Sequence, residues 1–515
     1  MKYRAVIFDL FETLVTEWGH KKYTKREMCE DLGIDKEAFD PFWEEKEQDR
    51  YLGNIDFRES ILYACEKCGK KPDMPVIEKV IDTRVKTKSE CFNSCLPEVY
   101  QMLETLKDMG LKTAIVSNCS SEEVTGIRES GIYKYFDEVI LSYEVGMKKP
   151  DACIYLEALE RLGIDPDECL FVGDGGSNEL EGAQEAGIKA VQAKWYTNRF
   201  PTPRESMKGF LVAEEPTDVI AYISRSLAES ALSYWELDEP RIGERFHKDT
   251  VRLIYKVNTK TGDYLLKGFP DEVPESVILG NVRAHLFLGN EHRMAPALYP
   301  AKNGEYYVES EGYRFYLMEF IVGRQMEETP EDEYKLGVAS RKMHSLQGYH
   351  EKSPMNQSKE KYYSWFRDRE FVKEFDEILD ELPDFEKLDQ CFVHTDIGPH
   401  NAMIRTNGEV VFIDLDDAGI GSRYLDIGWP FIMQFVDFNH DTEEMKYRFD
   451  LAKSFLKGYY KDESISREEF DLIFRGAIQM HISYMQDYGP YAVDSLWKIL
   501  RFGMEQREAL ELLAE

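Results

Sequence analysis

Short apolar runs that stop at a single polar side chain recur along the N-terminal part of this chain. Tyr3 to Phe8 ends at Asp9, Lys112 to Val116 ends at Ser117-Asn118, and Leu170-Phe171-Val172-Gly173 ends at Asp174. Unbroken apolar runs of this length suit strands buried on both faces, so the pattern predicts an α/β fold with polar groups at its strand ends. Gly187-Ile188-Lys189-Ala190-Val191 continues the series, and a last strand and helix fill Phe210 to Ile223. The stretch from about Glu17 to Glu98 interrupts it with charged segments of helical period, such as KREMCEDLG and DFRESILYACEKCGKK. The serine-rich SRSLAESALS near residue 230 is a short junction, so the two halves are expected to pack together rather than swing freely.

Beyond the junction the apolar positions alternate. Arg252 to Val257 and Tyr264 to Phe269 lie on either side of Thr261-Gly262-Asp263, a β-hairpin by composition. Phe315 to Ile321 reads as a strand, and Cys391-Phe392-Val393 and Val410 to Ile413 as two more that flank a polar turn. After Asp426 the chain is helical and aromatic, with Trp429, Phe431, Tyr459, Tyr460, Tyr484 and Tyr488 expected in a core.

At 515 residues the chain suits two to four domains. Its charged and hydrophobic fractions, 31% and 43%, are those of a soluble globular protein. A net charge of −33 disfavours nucleic acid and anionic membrane as partners. The N-terminal run Ala5-Val6-Ile7-Phe8 is cut by Asp9, which suits a strand and not a signal peptide, and no apolar stretch is long enough to cross a bilayer. Nine scattered cysteines do not form a disulfide framework, and a reducing cytoplasm is the expected location. Cys65, Cys68, Cys91 and Cys95 admit a Cys₄ zinc site, but their helical spacing favours packing.

The N-terminal strand ends supply a carboxylate, a hydroxyl and an acid, and Lys149 in EVGMKKPD adds a cation. A carboxylate that attacks phosphorus needs its own charge and the phosphate's charge offset, which a divalent metal and a lysine provide. Residues 1–228 resemble the haloacid dehalogenase superfamily, with a helical cap at about 17–98 on a Rossmann-like domain. The resemblance implies Asp9 as nucleophile, Ser117 on the transferring phosphoryl group, Lys149 as neutralising cation, and Asp174 as Mg²⁺ ligand with Asp9 and the Phe11 backbone carbonyl. Two positions depart from the family pattern. Phe11 stands where phosphatases carry a second Asp as proton donor, and Glu179 stands where an Asp is more common. The preferred reading is a Mg²⁺-dependent phosphohydrolase; a dehalogenase and a non-catalytic or regulatory domain are the alternatives.

In the C-terminal half, CFVHTDIGPHNAMIRTNGEVVFIDLDD places Asp396, Asn401 and Asp414 at the spacing that phosphoryl transfer from ATP requires. Asp396 is the expected base, and Asn401 and Asp414 the expected metal ligands. The motif HTDIGPHN followed by IDLDDAGIGSRYLDIGWPF resembles the aminoglycoside phosphotransferase and choline kinase group, with Asp426 matching its later Asp. That implies a bilobal, protein-kinase-like (α+β) domain over 232–515, with a small lobe at about 232–322 and a large lobe at 323–515. It also implies Lys267 on the ATP phosphates and backbone around Glu319 to Ile321 on adenine. The loop Arg241 to Thr250 would cover the phosphates, and Glu275 is the nearest candidate to pair with Lys267. No GxxxxGK[ST] occurs, which excludes a P-loop enzyme. His344 is read as a packing residue, and Asp417, His481 and Asp487 as candidates for an acceptor pocket. The whole is expected to be a bifunctional enzyme using Mg²⁺ and ATP on small-molecule substrates.

Overall fold

In the computed structural model, residues 2–514 are described apart from 72, 94, 202, 247–251, 355–368, 440–441, 462 and 488. Six parallel strands form the N-terminal sheet: β1 (Ala5–Phe8), β2 (Lys112–Ser117), β3 (Glu138–Leu141), β4 (Cys169–Gly173), β5 (Lys189–Ala193) and β6 (Leu211–Ala213). Their order is β3-β2-β1-β4-β5-β6, which puts β1 between β2 and β4. Ala5 and Ile7 face a cluster containing Ala114, Phe171 and the helix Ala152–Leu162; Val6 and Phe8 face another with Ile115, Val172 and the helix Pro97–Asp108. Both sides of β1 are therefore apolar, and its sequence shows no alternation.

Between β1 and the helix Pro97–Asp108 that leads into β2, five α-helices are inserted among the described residues: Lys25–Leu32, Lys36–Glu45, Glu47–Tyr51, Phe57–Lys67 and Met74–Ser89. Two of them start on capping boxes, Thr24 with Glu27 and Asp56 with Glu59, which satisfy backbone donors that a helix start leaves open. Phe57, Ile61, Ala64 and Cys65 pack with Phe39, Ile77 and Val80 in a separate core. The zinc alternative does not survive. The thiols of Cys68, Cys91 and Cys95 reach the carbonyls of Ala38, Lys88 and Leu14 respectively, and Cys65 belongs to the helical core. Among the described residues, no group able to hold a metal includes a cysteine.

The serine-rich junction is part of one helix, Thr217–Leu232. Ile223, Leu227 and Ala231 on this helix share a cluster with Phe8 and Leu103 on one side and with Leu253, Tyr255 and Val257 on the other. The two halves thus share a hydrophobic core.

The second sheet is antiparallel, with β7 (Arg241–Phe246), β8 (Leu253–Asn258), β9 (Asp263–Pro270), β10 (Leu298–Tyr299), β11 (Val308–Ser310) and β12 (Tyr313–Glu319). Its order is β10-β12-β9-β8-β7, with β11 also on β12. Alternate residues of β8 are buried, as expected for a sheet covered on one face. Seven short strands follow among the described residues: β13 (Gly323–Gln325), β14 (Gln390–Val393), β15 (Ala402–Arg405), β16 (Val410–Phe412), β17 (Gly419–Ser422), and the pair β18 (Val436–Phe438) and β19 (Met445–Tyr447). β14 pairs with β17, and β15 lies between β13 and β16. The two apolar runs flanking the polar turn therefore belong to different sheets, and the turn is held from two sides. Helices Pro330–His344, Arg423–Met433, Phe449–Tyr460 and Arg467–Asp487 contribute to the core behind it. No helix among the described residues is long and apolar enough to cross a membrane.

Candidate active sites

Asp9 follows β1, Ser117 ends β2 and Asp174 follows β4, so neighbouring parallel strands bring these three groups to one edge of the sheet. Lys149 arrives on a loop that Asn118 ties down: Asn118 Oδ1 accepts from the Lys149 N–H at 2.7 Å, and Nδ2 donates to the Lys149 carbonyl at 2.8 Å. The Lys149 ammonium pairs with Asp9 Oδ1 and lies 2.5 Å from Glu179 Oε2. Glu179 Oε1 accepts from the Gly175 N–H at 3.0 Å, and a Cβ on Gly173 would collide with that same oxygen. Ser117 Oγ is buried without a partner, a free donor that a phosphoryl oxygen would satisfy.

Oxygens of Asp9, Asp174 and Glu179 lie within 4.8 Å of one another, and all three residues are buried. Burial raises the Asp9 carboxyl, against the pull of Lys149. Burial, followed by the Asp9 charge, pushes Glu179 up to about 8. For Lys149, burial works against the charged form, but the charges of Asp9 and Glu179 prevail and raise it. Three crowded carboxylates fit a hard divalent cation in charge and in donor type. The Phe11 carbonyl accepts no backbone hydrogen bond among the described residues and is free to join them. Glu179, standing where an Asp is more common, completes this set with its longer arm. The Phe11 ring packs at 6.3 Å from that of Phe92, with Lys88 Nζ 5.2 Å from its centroid, so an apolar face fills the proton donor's position.

In the C-terminal half, Asp426 clamps the loop after β14. Its carboxylate accepts from the His394 N–H at 2.9 Å and the Thr395 N–H at 2.6 Å. His344 Nε2 lies 2.9 Å from Asp426 Oδ2, and its Nδ1 lies 2.9 Å from the Tyr459 hydroxyl. His344 is buried, as expected of a packing residue, and it also supports the loop through these hydrogen bonds. Thr395 is held at φ 78, a costly conformation that this clamp sustains. Asn401 Nδ2 donates to Asp396 Oδ2 at 2.8 Å and to the Asp396 carbonyl at 3.0 Å, which leaves its Oδ1 for a cation.

Lys267, on β9, lies 3.0 Å from Asp414 and 2.8 Å from Asp416. Burial raises the Asp414 carboxyl, but Lys267 outweighs it and holds it at about 2. The candidate partner Glu275 is elsewhere: it starts the helix Glu275–His285 and accepts from the Tyr307 hydroxyl at 2.6 Å. That helix turns Asn281 toward the lysine site instead, where its Nδ2 donates to Asp416 at 3.1 Å. Asp416 was missed because its partners stand more than a hundred residues upstream, as Asn281 and Lys267 do. Residues 247–250 of the expected phosphate-covering loop lie outside the described residues. Of the residues expected on adenine, Glu319 has its N–H committed to the Ala297 carbonyl and its carboxylate to Arg405, whereas Ile321 has no backbone partner among the described residues.

Residues 3–187 match the family model for haloacid dehalogenase-like hydrolase, and residues 243–451 match that for the phosphotransferase enzyme family. The chain joins a domain of each family. Glyceraldehyde 3-phosphate phosphatase of Methanopyrus kandleri is 27% identical over 197 residues, 37% of this chain and 84% of that protein. Putative pyrophosphatase PpaX of Clostridium perfringens is 28% identical over 167 residues, 30% of this chain and 77% of that protein. The solved structure of the amicoumacin kinase hAmiN is 16% identical, with a TM-score of 0.41, over 57% of this chain and 96% of that one.

Beside Asp396, the phosphotransferase domain holds a cavity of about 590 Å³. Glu328, Asp437 and Asp396 give it an acidic wall, Arg448 a cation, and Trp429 and Tyr484 an aromatic one, with their rings 5.8 Å apart and edge to face. Both also belong to the core, as expected: Trp429 is buried in it and Tyr484 packs against it. Two of the expected acceptor residues do not line the cavity: Asp417 is absent from it, and His481 is buried with its Nε2 2.8 Å from the Leu496 carbonyl. The Asp487 side chain and Tyr488 lie outside the described residues. His400, which sequence reasoning passed over, also lines the cavity, with Nε2 3.1 Å from Asp396 Oδ1.

Proposed function

We propose that the hydrolase domain cleaves phosphate monoesters and that the phosphotransferase domain phosphorylates a hydroxyl of a small molecule with ATP. The observation that supports this reading is two separate side-chain clusters on one chain: Asp9, Asp174 and Glu179 with Lys149, and Asp396 with Asn401 alongside Asp414 with Lys267.

In the hydrolase domain, Asp9 attacks phosphorus, Ser117 donates to a phosphoryl oxygen, and Lys149 balances the charge of Asp9 and Glu179. Asp9, Asp174, Glu179 and the Phe11 carbonyl hold Mg²⁺, which when bound supplies Lewis-acid stabilisation of the phosphoryl oxygens. The two curated relatives are a phosphatase and a pyrophosphatase by name, which favours phosphorus over carbon as the centre attacked.

In the phosphotransferase domain, Asp396 accepts the proton of the acceptor hydroxyl. Asn401 and Asp414 hold Mg²⁺, Lys267 holds the ATP phosphates, and the free backbone of Ile321 meets adenine. The acidic and aromatic walls of the cavity favour an acceptor alcohol that carries a cationic group. The second reading is a silent hydrolase domain beside a working kinase; it rests on Phe11, which removes a proton donor typically responsible for about 10²- to 10⁴-fold.

The test is phosphate release from pooled phosphate esters and ATP turnover with pooled amino alcohols, for wild type, Asp9→Asn and Asp396→Asn. Loss of phosphate release with Asp9→Asn alone, and of ATP turnover with Asp396→Asn alone, is expected. Phosphate release that survives Asp9→Asn removes the hydrolytic reading.

A further inference from the structure

Lys149 serves Asp9 and Glu179, and the third carboxylate of the hydrolase cluster has a cation of its own. Arg204 Nη1 lies 2.6 Å from Asp174 Oδ2 and donates to the Asp174 carbonyl at 3.2 Å. The other carboxylate oxygen, Oδ1, accepts from the backbone N–H of Gly176 at 2.9 Å. Both oxygens of Asp174 are therefore engaged. Each oxygen keeps a second lone pair, so Arg204 competes with a metal not by using up the acceptor but by its charge, which lies directly on Oδ2.

Arg204 stands on the segment that connects β5 to β6. The backbone of that segment is pinned independently: Gln192 Nε2 donates to the Glu205 carbonyl at 3.1 Å, and Gln192 Oε1 accepts from the Met207 N–H at 2.8 Å. Met207 Sδ covers Gly175. The Arg204 side chain is 39% exposed and has water to move into, while the Asp174 side chain beneath it is 8% exposed. The segment can thus stay in place while one side chain swings.

Resting on the metal-dependent reading of the hydrolase site, we infer that Arg204 is an internal counter-ion that competes with the divalent cation for Asp174, positioning this carboxylate in the metal-free enzyme and lowering its metal affinity. The reasoning is electrostatic. Three buried carboxylates so close together need more positive charge than Lys149 alone provides, and Arg204 and the metal are alternative ways of providing it. An ion pair this exposed shifts a competing equilibrium by no more than about fivefold, so the competition is modest.

The test is Mg²⁺ binding by isothermal titration calorimetry on the full chain without nucleotide. An Asp414→Asn background removes the phosphotransferase contribution. Arg204→Gln is expected to bind Mg²⁺ about fivefold more tightly, Arg204→Lys to return toward wild type, and Asp174→Asn to bind more weakly. In EDTA, Arg204→Gln is expected to melt below wild type, with the difference closing at saturating Mg²⁺. If Arg204→Gln binds Mg²⁺ equally or less well while Asp174→Asn still weakens binding, Arg204 is only a strut of its segment and the inference falls. If Asp174→Asn leaves binding unchanged, the metal-dependent reading falls with it.

Discussion

The Ser224 hydroxyl and the Tyr255 phenol meet at 2.8 Å across the seam between the hydrolase domain and the small lobe of the phosphotransferase domain. Arg245 Nη1 donates to the same Ser224 oxygen at 3.0 Å, and Arg225 Nη2 donates to the Ile242 carbonyl at 3.0 Å. These polar contacts border the apolar cluster that the helix Thr217–Leu232 shares with both sheets. The small lobe is therefore built onto the hydrolase domain, and any closure over nucleotide would move the large lobe against the pair.

That seam predicts common unfolding. Leu227 is fully buried between the two sheets, so Leu227→Ala is expected to cost about 2–5 kcal/mol. Phosphate release and ATP turnover should then be lost at the same, lowered temperature in parallel heat-inactivation assays. Lowering of one inactivation temperature without the other would mean that the domains are energetically independent.

His344 holds Asp426, and Asp426 holds the two N–H groups that precede Asp396. His344→Ala leaves a buried carboxylate short of one partner and loosens the loop. Misplacement of a catalytic group by an ångström costs about 10²-fold, and a fall of that order in ATP turnover is expected, with phosphate release unchanged. Steady-state assays of both reactions on the same preparation check it. Equal loss in both would indicate general destabilisation.

The sequence made the ends of β1, β2 and β4 legible because a buried parallel strand is an unbroken apolar run, and the residue that stops it lies at the sheet edge. Asp9, Ser117 and Asp174 come together for that reason alone. The convergence of Glu179 on Lys149, the hold of His344 on a carboxylate 82 residues later, and the pairing of Lys267 with Asp416 have no local pattern. Each depends on which elements pack together, which periodicity does not encode. Glu275 is the plausible partner by position, but the pitch of its helix presents Asn281 to Asp416, the lysine's own partner.

Glu333 gives the phosphotransferase domain a pH-dependent stability. Burial pushes its carboxyl from the ordinary 4.5 up to about 8, against a hydrogen bond from Gln434 that pulls it down. Between these values the native state keeps a proton that the unfolded state has lost, so stability falls as pH rises through this window. The contribution is complete below about pH 4.5 and gone above about pH 8. Glu333→Gln mimics the protonated form and should flatten this limb in urea midpoints measured across the range. An unchanged slope would show that Glu333 ionises normally.

Phe11 decides what the hydrolase domain can do with a poor leaving group. A phosphate ester of an alkyl alcohol needs a proton delivered to the departing oxygen, whereas p-nitrophenolate leaves without one. Phe11→Asp places a carboxyl two residues after the nucleophile, in the space of a ring that now lies between Phe92 and Lys88. Lys88 is already engaged by Glu17 at 2.5 Å and Glu123 at 2.8 Å, so it is not a free partner that would draw the new carboxyl away. Hydrolysis of alkyl phosphates is therefore expected to rise, up to about 10²-fold, while that of p-nitrophenyl phosphate changes little. The gain should fade at high pH as the new carboxyl loses its proton. Equal effects on both esters would mean that proton delivery is not what wild type lacks, and would return Phe11 to a packing role between sheet and cap.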